Sequence, residues 1–558
     1  MSASAVDTIY VGGNIITMND HQLLVEAVAV GNGRIVGAGV QDDILKSGGP
    51  ATKIVDLKGK TMLPAFIDGH SHFFQAAMIA DYVNVSAPPV GPGDSIADIV
   101  GALKEHVAAK PVLAGEWLIG YGYDGSVLAD GREATRDDFD KDFPDTPLLL
   151  VHVSGHGCIL NSAGFRKVGI DANTPTPNGG LIVRRPGSNE PAGLLMEDAW
   201  FPVAMKLPTP SAQQLLENLG KAQQMYARAG YTTVQDAPVE PKAMPLYRKA
   251  ADEGRFYLDL NGYWESHAFL GATLVDDFRN VRPSRYRLAG VKIVADGSPQ
   301  GKTAYFTEPY LTGGPSGETN WRGTPTVTQE HMNEVVKKAY DNGAQVLVHC
   351  NGDATIDMLL NAHKAAGAPR DRRTTVIHSQ FVRRDQLDEY VQLGVNPSFF
   401  TNHTFFWGDV HLRNLGKQRA SFLSPMHTAR WLGLHMTNHS DFLVTPLDTM
   451  LILWSAVNRV SRSGQIIGPE ERISVLDGLK ALTIDGAYQY FEEDCKGSIE
   501  TGKLADLVIL SDDPMKVAPM AIKDIKVVQT IKEGRTVYLR SEEQVTESAP
   551  ELAGVGSR

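Results

Sequence analysis

Strand-like apolar runs alternate with helical ones across the middle of the chain, and this alternation constrains the fold more than any other feature. The runs are Tyr231-Thr232-Thr233-Val234-Gln235, Tyr257-Leu258-Asp259-Leu260, Leu288-Ala289-Gly290-Val291-Lys292-Ile293-Val294, Gln345-Val346-Leu347-Val348-His349, Thr374-Thr375-Val376-Ile377-His378, Val395-Asn396-Pro397-Ser398 and Leu434-His435-Met436-Thr437. Helical patterns fall over 211–229, 329–342, 353–366 and 384–393. Alternation of this kind marks β/α units on a parallel sheet. An earlier run, Thr61-Met62-Leu63-Pro64-Ala65-Phe66-Ile67, makes eight, and eight such units predict an α/β fold, a (β/α)8 TIM barrel. A barrel of that type needs about 250 residues, yet the distance from Phe73 to Tyr231 far exceeds one unit. A large insertion after the first barrel strand is therefore expected over residues 80–210 or so.

Both chain ends read differently. Ile9-Tyr10-Val11, Asn14-Ile15-Ile16-Thr17, Ala27-Val28-Ala29-Val30 and Arg34-Ile35-Val36-Gly37 are short strands parted by Gly-Gly, Met-Asn-Asp and Gly-Asn-Gly turn signals. The same style returns in Ala505-Asp506-Leu507-Val508-Ile509-Leu510 and Ile525-Lys526-Val527-Val528-Gln529-Thr530. Neither set can cover both its faces alone, so 1–63 and 492–540 are expected to build one small β-sandwich domain, with the barrel over 64–491. The polar, small-residue tail 541–558 is expected to be disordered. The insertion is rich in Gly, Pro and aromatics, as in Trp117-Leu118-Ile119-Gly120-Tyr121-Gly122-Tyr123-Asp124, and is expected to wall the barrel's catalytic face.

Composition excludes several classes of function. A net charge of -12 with no Lys/Arg cluster argues against nucleic acid. The cysteines Cys158, Cys350 and Cys495 stand singly, giving neither a disulfide framework nor a Cys-x-x-Cys metal site. No apolar stretch of about 18 residues is present, and residues 1–7 carry no secretory signal features. A cytoplasmic protein with a small-molecule partner is expected, with no membrane and no nucleic acid; assembly as a homodimer is left open.

Candidate chemistry sits at the strand ends. His70 and His72 close the first run two residues apart, so both can leave a strand on one side and converge on one metal. Imidazole suits zinc, iron, nickel and copper alike. Lys292, His349, His378 and Asp441 end later runs, and the spacing from His349 to His378 is one β/α unit. Each has an ordinary alternative: a histidine bonded to a carbonyl, a lysine paired with Asp296, an aspartate capping a helix. Six at the same end of different strands point instead to one metal-binding face.

These residues lie in blocks that resemble the amidohydrolase superfamily, in its long branch that includes N-substituted formamide deformylases. The blocks are Leu63-Pro64-Ala65-Phe66-Ile67-Asp68-Gly69-His70-Ser71-His72, Gly155-His156-Gly157, Val291-Lys292-Ile293-Val294-Ala295-Asp296-Gly297-Ser298, His349-Cys350-Asn351-Gly352-Asp353 and Lys496-Gly497-Ser498-Ile499-Glu500-Thr501-Gly502-Lys503-Leu504-Ala505-Asp506. The resemblance implies a metal-dependent hydrolase in which His70 and His72 bind one ion and His349 and His378 another. Two departures from relatives stand out: Pro299-Gln300-Gly301-Lys302 after the Asp-Gly-Ser block, and Phe442 after Asp441. The expected cofactor is a pair of divalent ions, two Zn2+ bridged by a carboxylated Lys292. Asp441 is expected as ligand and general base, and His156 as a donor to the substrate carbonyl oxygen. Tyr121, Tyr123 and Trp407 are the expected substrate contacts, Trp407 together with Phe399, Phe400, Phe405 and Phe406 following the seventh strand. The expected reaction is hydrolysis of a non-peptide amide, formamide or carbamate-like carbon–nitrogen bond by metal-activated water. A deaminase on the same barrel, or a non-catalytic regulatory or binding protein, is the alternative.

Overall fold

Eight parallel strands form one sheet in sequence order: β1 (Phe66–Ile67), β2 (Tyr231–Val239), β3 (Asp259–Glu265), β4 (Tyr286–Val294), β5 (Gln345–Cys350), β6 (Thr375–His378), β7 (Asn396–Phe399) and β8 (Thr437–Asn438). Each pairs in parallel with the next. This is a computed structural model, and it describes residues 6–88, 90–153, 155, 157–177, 180–272, 284–315 and 317–541, with the backbone of 547–548. Past their ends β1 and β8 meet through two backbone hydrogen bonds, Asp441 N to His70 O (3.3 Å) and His72 N to Phe442 O (3.0 Å). The curled parallel sheet has the TIM-barrel strand order.

Strand alternation sorts the side chains of this sheet. Val291, Ile293, Val346, Val348 and Val376 pack in one buried cluster with helix residues Met332, Val335, Leu359, Leu387 and Tyr390. Ala289, Leu347 and Ile377 face the other way, into a cluster with Ile67, Ala237, Tyr263 and Tyr490. Lys292 stands between Val291 and Ile293, so the same alternation sends its side chain to the inner face.

Several element bounds differ from the sequence reading. The run 61–67 is divided: Thr61–Pro64 pairs with Leu507–Leu510, and only Phe66–Ile67 joins the barrel sheet. Ala65 is the switch, its N–H donating to Asp506 O while Phe66 N–H donates to Gly230 O. The third strand begins at Asp259 and runs to Glu265, the eighth is confined to Thr437–Asn438, and an unanticipated helix, Asn402–Ser421, follows β7.

Strands from both chain ends share two further sheets. One combines Thr8–Val11, Ala27–Gly31, Arg34–Gly39, Lys53–Asp56 and Glu547–Ser548; the other combines Asn14–Ile16, Leu24–Val25, Thr61–Pro64, Leu507–Leu510, Val527–Lys532 and Arg535–Leu539. Val28, Val30, Ile35, Met62, Leu507, Val528 and Ile531 form one buried cluster. In the tail expected to be disordered, Ser541 and the strand Glu547–Ser548 are described; its other residues lie outside the described residues.

The chain divides into two units, Met1–Phe74 with Leu219–Arg558, and Gln75–Asn218. The second unit has its own six-stranded mixed sheet, Gly180–Arg184, Pro191–Glu197, Gly157–Leu160, Leu148–His152, Leu118–Tyr123 and Val83–Asn84 in spatial order. Its helix Ile96–Ala109 starts on a Ser95/Asp98 capping box and buries Ile96, Ile99 and Leu103. Tyr123, expected to touch substrate, is committed to this unit's core: it is fully buried, its hydroxyl donates to Glu133 Oε2 (2.7 Å) and accepts from Ala134 N (2.8 Å).

Candidate metal centre

Gly69 lets the first and last strands approach. A Cβ there would lie 2.7 Å from Thr437 Oγ1 and 2.9 Å from its Cβ, closer than real side chains come. The next residue, His70, is buried, and its Nδ1 lies 2.6 Å from Gln235 Oε1. Gln235 Nε2 donates to Gly69 O (3.1 Å) and to the Tyr490 hydroxyl (2.7 Å), which fixes Oε1 as the acceptor. This network assigns the His70 proton to Nδ1 and leaves a lone pair on Nε2. Burial, reinforced by the Lys292 charge, pushes the His70 imidazole well below its ordinary pKa.

That lone pair faces Lys292 Nζ at 3.0 Å and Asp441 Oδ1 at 3.4 Å. Lys292 is 2% exposed, and among the described residues it has no ion pair. Burial lowers its ammonium from 10.5 to about 7, against the pull of Asp441. The alternative pairing with Asp296 does not occur. Asp296 instead accepts from Tyr305 N (3.1 Å), Asn351 N (3.0 Å), Gly352 N (2.8 Å) and Thr355 Oγ1 (2.9 Å), holding the turn after β5.

His349 and His378 approach each other, Nδ1 to Nε2, at 3.0 Å. His378 has φ 72° and Asp441 φ 53°, left-handed values that bulky residues adopt at a cost. Two left-handed residues among the converging side chains are backbone strain concentrated at the candidate site. Asp441 reaches His72 Nε2 at 3.1 Å and, through its other oxygen, His378 Nε2 at 3.9 Å. Burial would push the Asp441 carboxyl up, but His378, His72 and His70 together hold it well below the carboxylate range, so it is ionised.

A divalent cation fits this donor set. Ligand atoms of His70, His378 and Asp441 lie within 4.8 Å of one another. Four ligands at about 2.1 Å in a tetrahedron stand roughly 3.4 Å apart. The 3.1, 3.4 and 3.9 Å separations around Asp441 bracket that value. The donors are imidazoles, a carboxylate and a desolvated amine, which suit zinc and its neighbours better than magnesium or calcium.

The other expected site residues fare unevenly. His70, His72, Lys292, His349, His378 and Asp441 come together; His156 lies outside the described residues. Tyr121 is half-buried in the strand Leu118–Tyr123 of the second unit. Trp407 lies on the helix Asn402–Ser421, its ring 4.4 Å from His403, which meets Phe400 edge-to-face at 4.6 Å; Phe400 lies 5.7 Å from His378. Phe399 is in the buried barrel cluster, while Phe405 and Phe406 sit under the Arg462 guanidinium, so the aromatic run does not form a single face. Sequence reasoning missed Gln235, His403 and His439. His439 Nε2 lies 3.1 Å from His378 Nδ1, and burial pushes its imidazole down to about 3. One signal was available: His439-x-Asp441 repeats the spacing of His70-x-His72 at the opposite edge of the sheet.

Comparison with known proteins agrees with the geometry. The chain is 27% identical over 553 residues to an N-substituted formamide deformylase of Arthrobacter pascens, covering 96% of this chain and 99% of the relative. It is 29% identical over 549 residues to YtcJ of Bacillus subtilis (strain 168), again covering 96% and 99%. In fold it is similar to the crystal structure of an uncharacterized metal-dependent hydrolase from Pyrococcus furiosus, with a TM-score of 0.68 and 24% identity over 91% of this chain and all of that one. The profile of the Amidohydrolase family matches residues 53–538, from the strands before the first histidine pair to the last strands of the chain. A barrel that gathers four histidines, a lysine and an aspartate at one rim thus belongs to the Amidohydrolase family, and the chain is an enzyme of carbon–nitrogen bonds other than peptide bonds.

Proposed function

We propose that the chain hydrolyses a small, uncharged or weakly charged amide-type substrate, a formamide, carbamate or N-acyl compound bearing an aromatic or aliphatic substituent, to a carboxylate and an amine. One observation carries this reading: a desolvated lysine, Lys292, without a carboxylate partner, sits against the lone pair of His70 and beside an ionised Asp441. His70, His72 and Asp441 would hold one divalent ion, zinc first among candidates, and His349 and His378 a second. When bound, such ions polarise a carbonyl and lower the pKa of water toward 7 or so.

The chain's own groups then have separate tasks. Lys292, partly neutral near its lowered pKa, can attack carbon dioxide through Nζ; a nitrogen–carbon bond forms as one C=O π bond opens, an N–H proton leaves to solvent, and a carbamate whose single negative charge is shared by two oxygens replaces the amine. Asp441, already ionised, accepts the proton of the attacking water on a carboxylate oxygen and returns it to the leaving nitrogen. Phe400 and Trp407, reached through His403, offer an apolar surface near His378 for the substituent. The name of the Arthrobacter pascens relative, matched end to end, favours formamides among the candidates.

Steady-state assays of purified protein with N-benzylformamide, an N-acyl amino acid, an aryl ester and an aminopurine test the reading. Turnover of the formamide or N-acyl compound, lost on chelation and restored by zinc, is the expected result. Efficient turnover of the aminopurine alone would replace it with deamination.

A further inference from the structure

We propose that His439 is a positioning residue that fixes the tautomer of His378, through a directed chain of hydrogen bonds anchored on Gln489. The inference rests on the metal-binding reading above and adds to it a residue outside the ligand set.

The direction of the chain follows from proton counting. Gln489 Nε2 donates to Gly69 O at 2.8 Å, and a carbonyl can only accept, so Gln489 Oε1 must accept at its other end. Its donor is Thr437 Oγ1 at 2.8 Å. A hydroxyl carries one proton, so Thr437 Oγ1 has only lone pairs left for Ser398 Oγ at 2.7 Å, and Ser398 is the donor there. Ser398, its proton used in turn, accepts from His439 Nδ1 at 2.8 Å. A neutral imidazole with its proton on Nδ1 has a lone pair on Nε2, and this accepts from His378 Nδ1 at 3.1 Å. His378 is thereby left with an unprotonated Nε2, the atom 3.0 Å from His349 Nδ1 and 3.9 Å from Asp441 Oδ2. The opposite polarity would leave Gln489 Oε1 buried without a donor. His439, Ser398, Thr437 and Gln489 are all at most 4% exposed, so water does not compete for these bonds. A ring held this way can neither flip nor change tautomer without breaking the chain, so His378 presents a lone pair to a cation at no further cost in ordering.

The test uses the full-length, metal-free chain and three variants. Zn2+ affinity is read by chelator competition, and the ligand field by visible absorption of the Co2+-loaded protein. His439→Leu should weaken one Zn2+ by about 10- to 100-fold and alter the Co2+ spectrum. His439→Gln, whose Oε1 can accept from His378 while Nε2 donates to Ser398, should recover most of the affinity and the parent spectrum. A general loss of packing would not distinguish the two variants in this way. Unchanged affinity and spectrum in His439→Leu, or a glutamine variant no better than the leucine one, overturns the inference. If His439→Leu does not fold, Ser398→Ala decides: several-fold weaker Zn2+ binding supports the chain, and parental binding overturns it. A parent protein that takes up no divalent ion sinks the metal reading and this inference together, whereas normal parental uptake with unaffected variants removes this inference alone.

Discussion

Replacing Lys292 with methionine should make the metal-free protein more stable, not less, and by an amount that depends on pH. The ammonium titrates ordinarily at 10.5, and burial lowers it to about 7 in the fold. Between those values the unfolded chain binds a proton that the folded chain does not, so stability rises with pH across this window. Below the folded value the penalty is fully present, roughly 5 kcal/mol at ~1.4 kcal/mol per unit. It shrinks to about 2 kcal/mol by pH 9 and vanishes above the unfolded value. Methionine has nearly the same length and no charge, and its loss is the 3.0 Å hydrogen bond to His70 Nε2, worth about 1 kcal/mol. Lys292→Met should therefore exceed the parent by about 3 to 4 kcal/mol at pH 6 to 7 and by about 1 kcal/mol at pH 9. Thermal melts of both proteins, stripped of metal and bicarbonate, across that pH range would measure it. A variant less stable than the parent at pH 6.5, or a difference that does not change with pH, would refute the desolvated-amine argument. Adding zinc and bicarbonate should reverse the order, because the parent, with carbamate oxygens added to the histidines and Asp441, gains more binding free energy than the variant.

Asp441→Asn should lower turnover by about 10²- to 10⁴-fold with metal content matched, measured as kcat on whichever compound of the assay panel the parent turns over. Asp259→Ala should cost about 3 kcal/mol in urea unfolding, because Asp259 lies 2.7 Å from both Lys496 and Lys532 in a buried network. Loss is held to that level because Lys496 keeps Glu492 and Lys532 keeps Asp506. Burial raises the Asp259 carboxyl, but the two lysines outweigh it and hold it far below the usual range. Its contribution is thus present above the ordinary carboxylate value and lost as pH falls through the lowered one, so parent and variant should converge only in strong acid. Gly69→Ala should cost about 1 to 3 kcal/mol through its clash with Thr437 and weaken metal binding in parallel, read by melting and zinc titration.

The barrel was legible in the sequence because its strands are buried on both faces and read as continuous apolar runs between amphipathic helices. Bounds failed where the chain changes partner: Thr61–Pro64 and Phe66–Ile67 are both strand, yet at Ala65 between them the hydrogen bonds pass from one sheet to another. No local pattern records that switch. The inward placement of the candidate ligands at β4 and β5 was legible from alternation, since Lys292 stands between outward Val291 and Ile293 and His349 keeps the inward parity of Leu347. Tyr123 was misread because an aromatic in a glycine-rich stretch looks like a binding wall, whereas Glu133 and Ala134 claim its hydroxyl.

His378 illustrates what spacing cannot supply. Val376 packs outward against the helices and Ile377 inward, so plain alternation would turn His378 outward again, away from His349. Its left-handed φ re-aims the side chain, and Asp441 at the end of β8 uses the same device. Each such residue costs on the order of 1 kcal/mol or more, and the conformation persists only where neighbours over-determine it. At His378 those neighbours are His439 on Nδ1 and His349 on Nε2; at Asp441 they are the backbone bond to His70 O and the imidazole of His72. The strain and the hydrogen-bond chain are therefore two sides of one arrangement: the backbone points an imidazole and a carboxylate at the candidate centre, and buried polar partners keep them there.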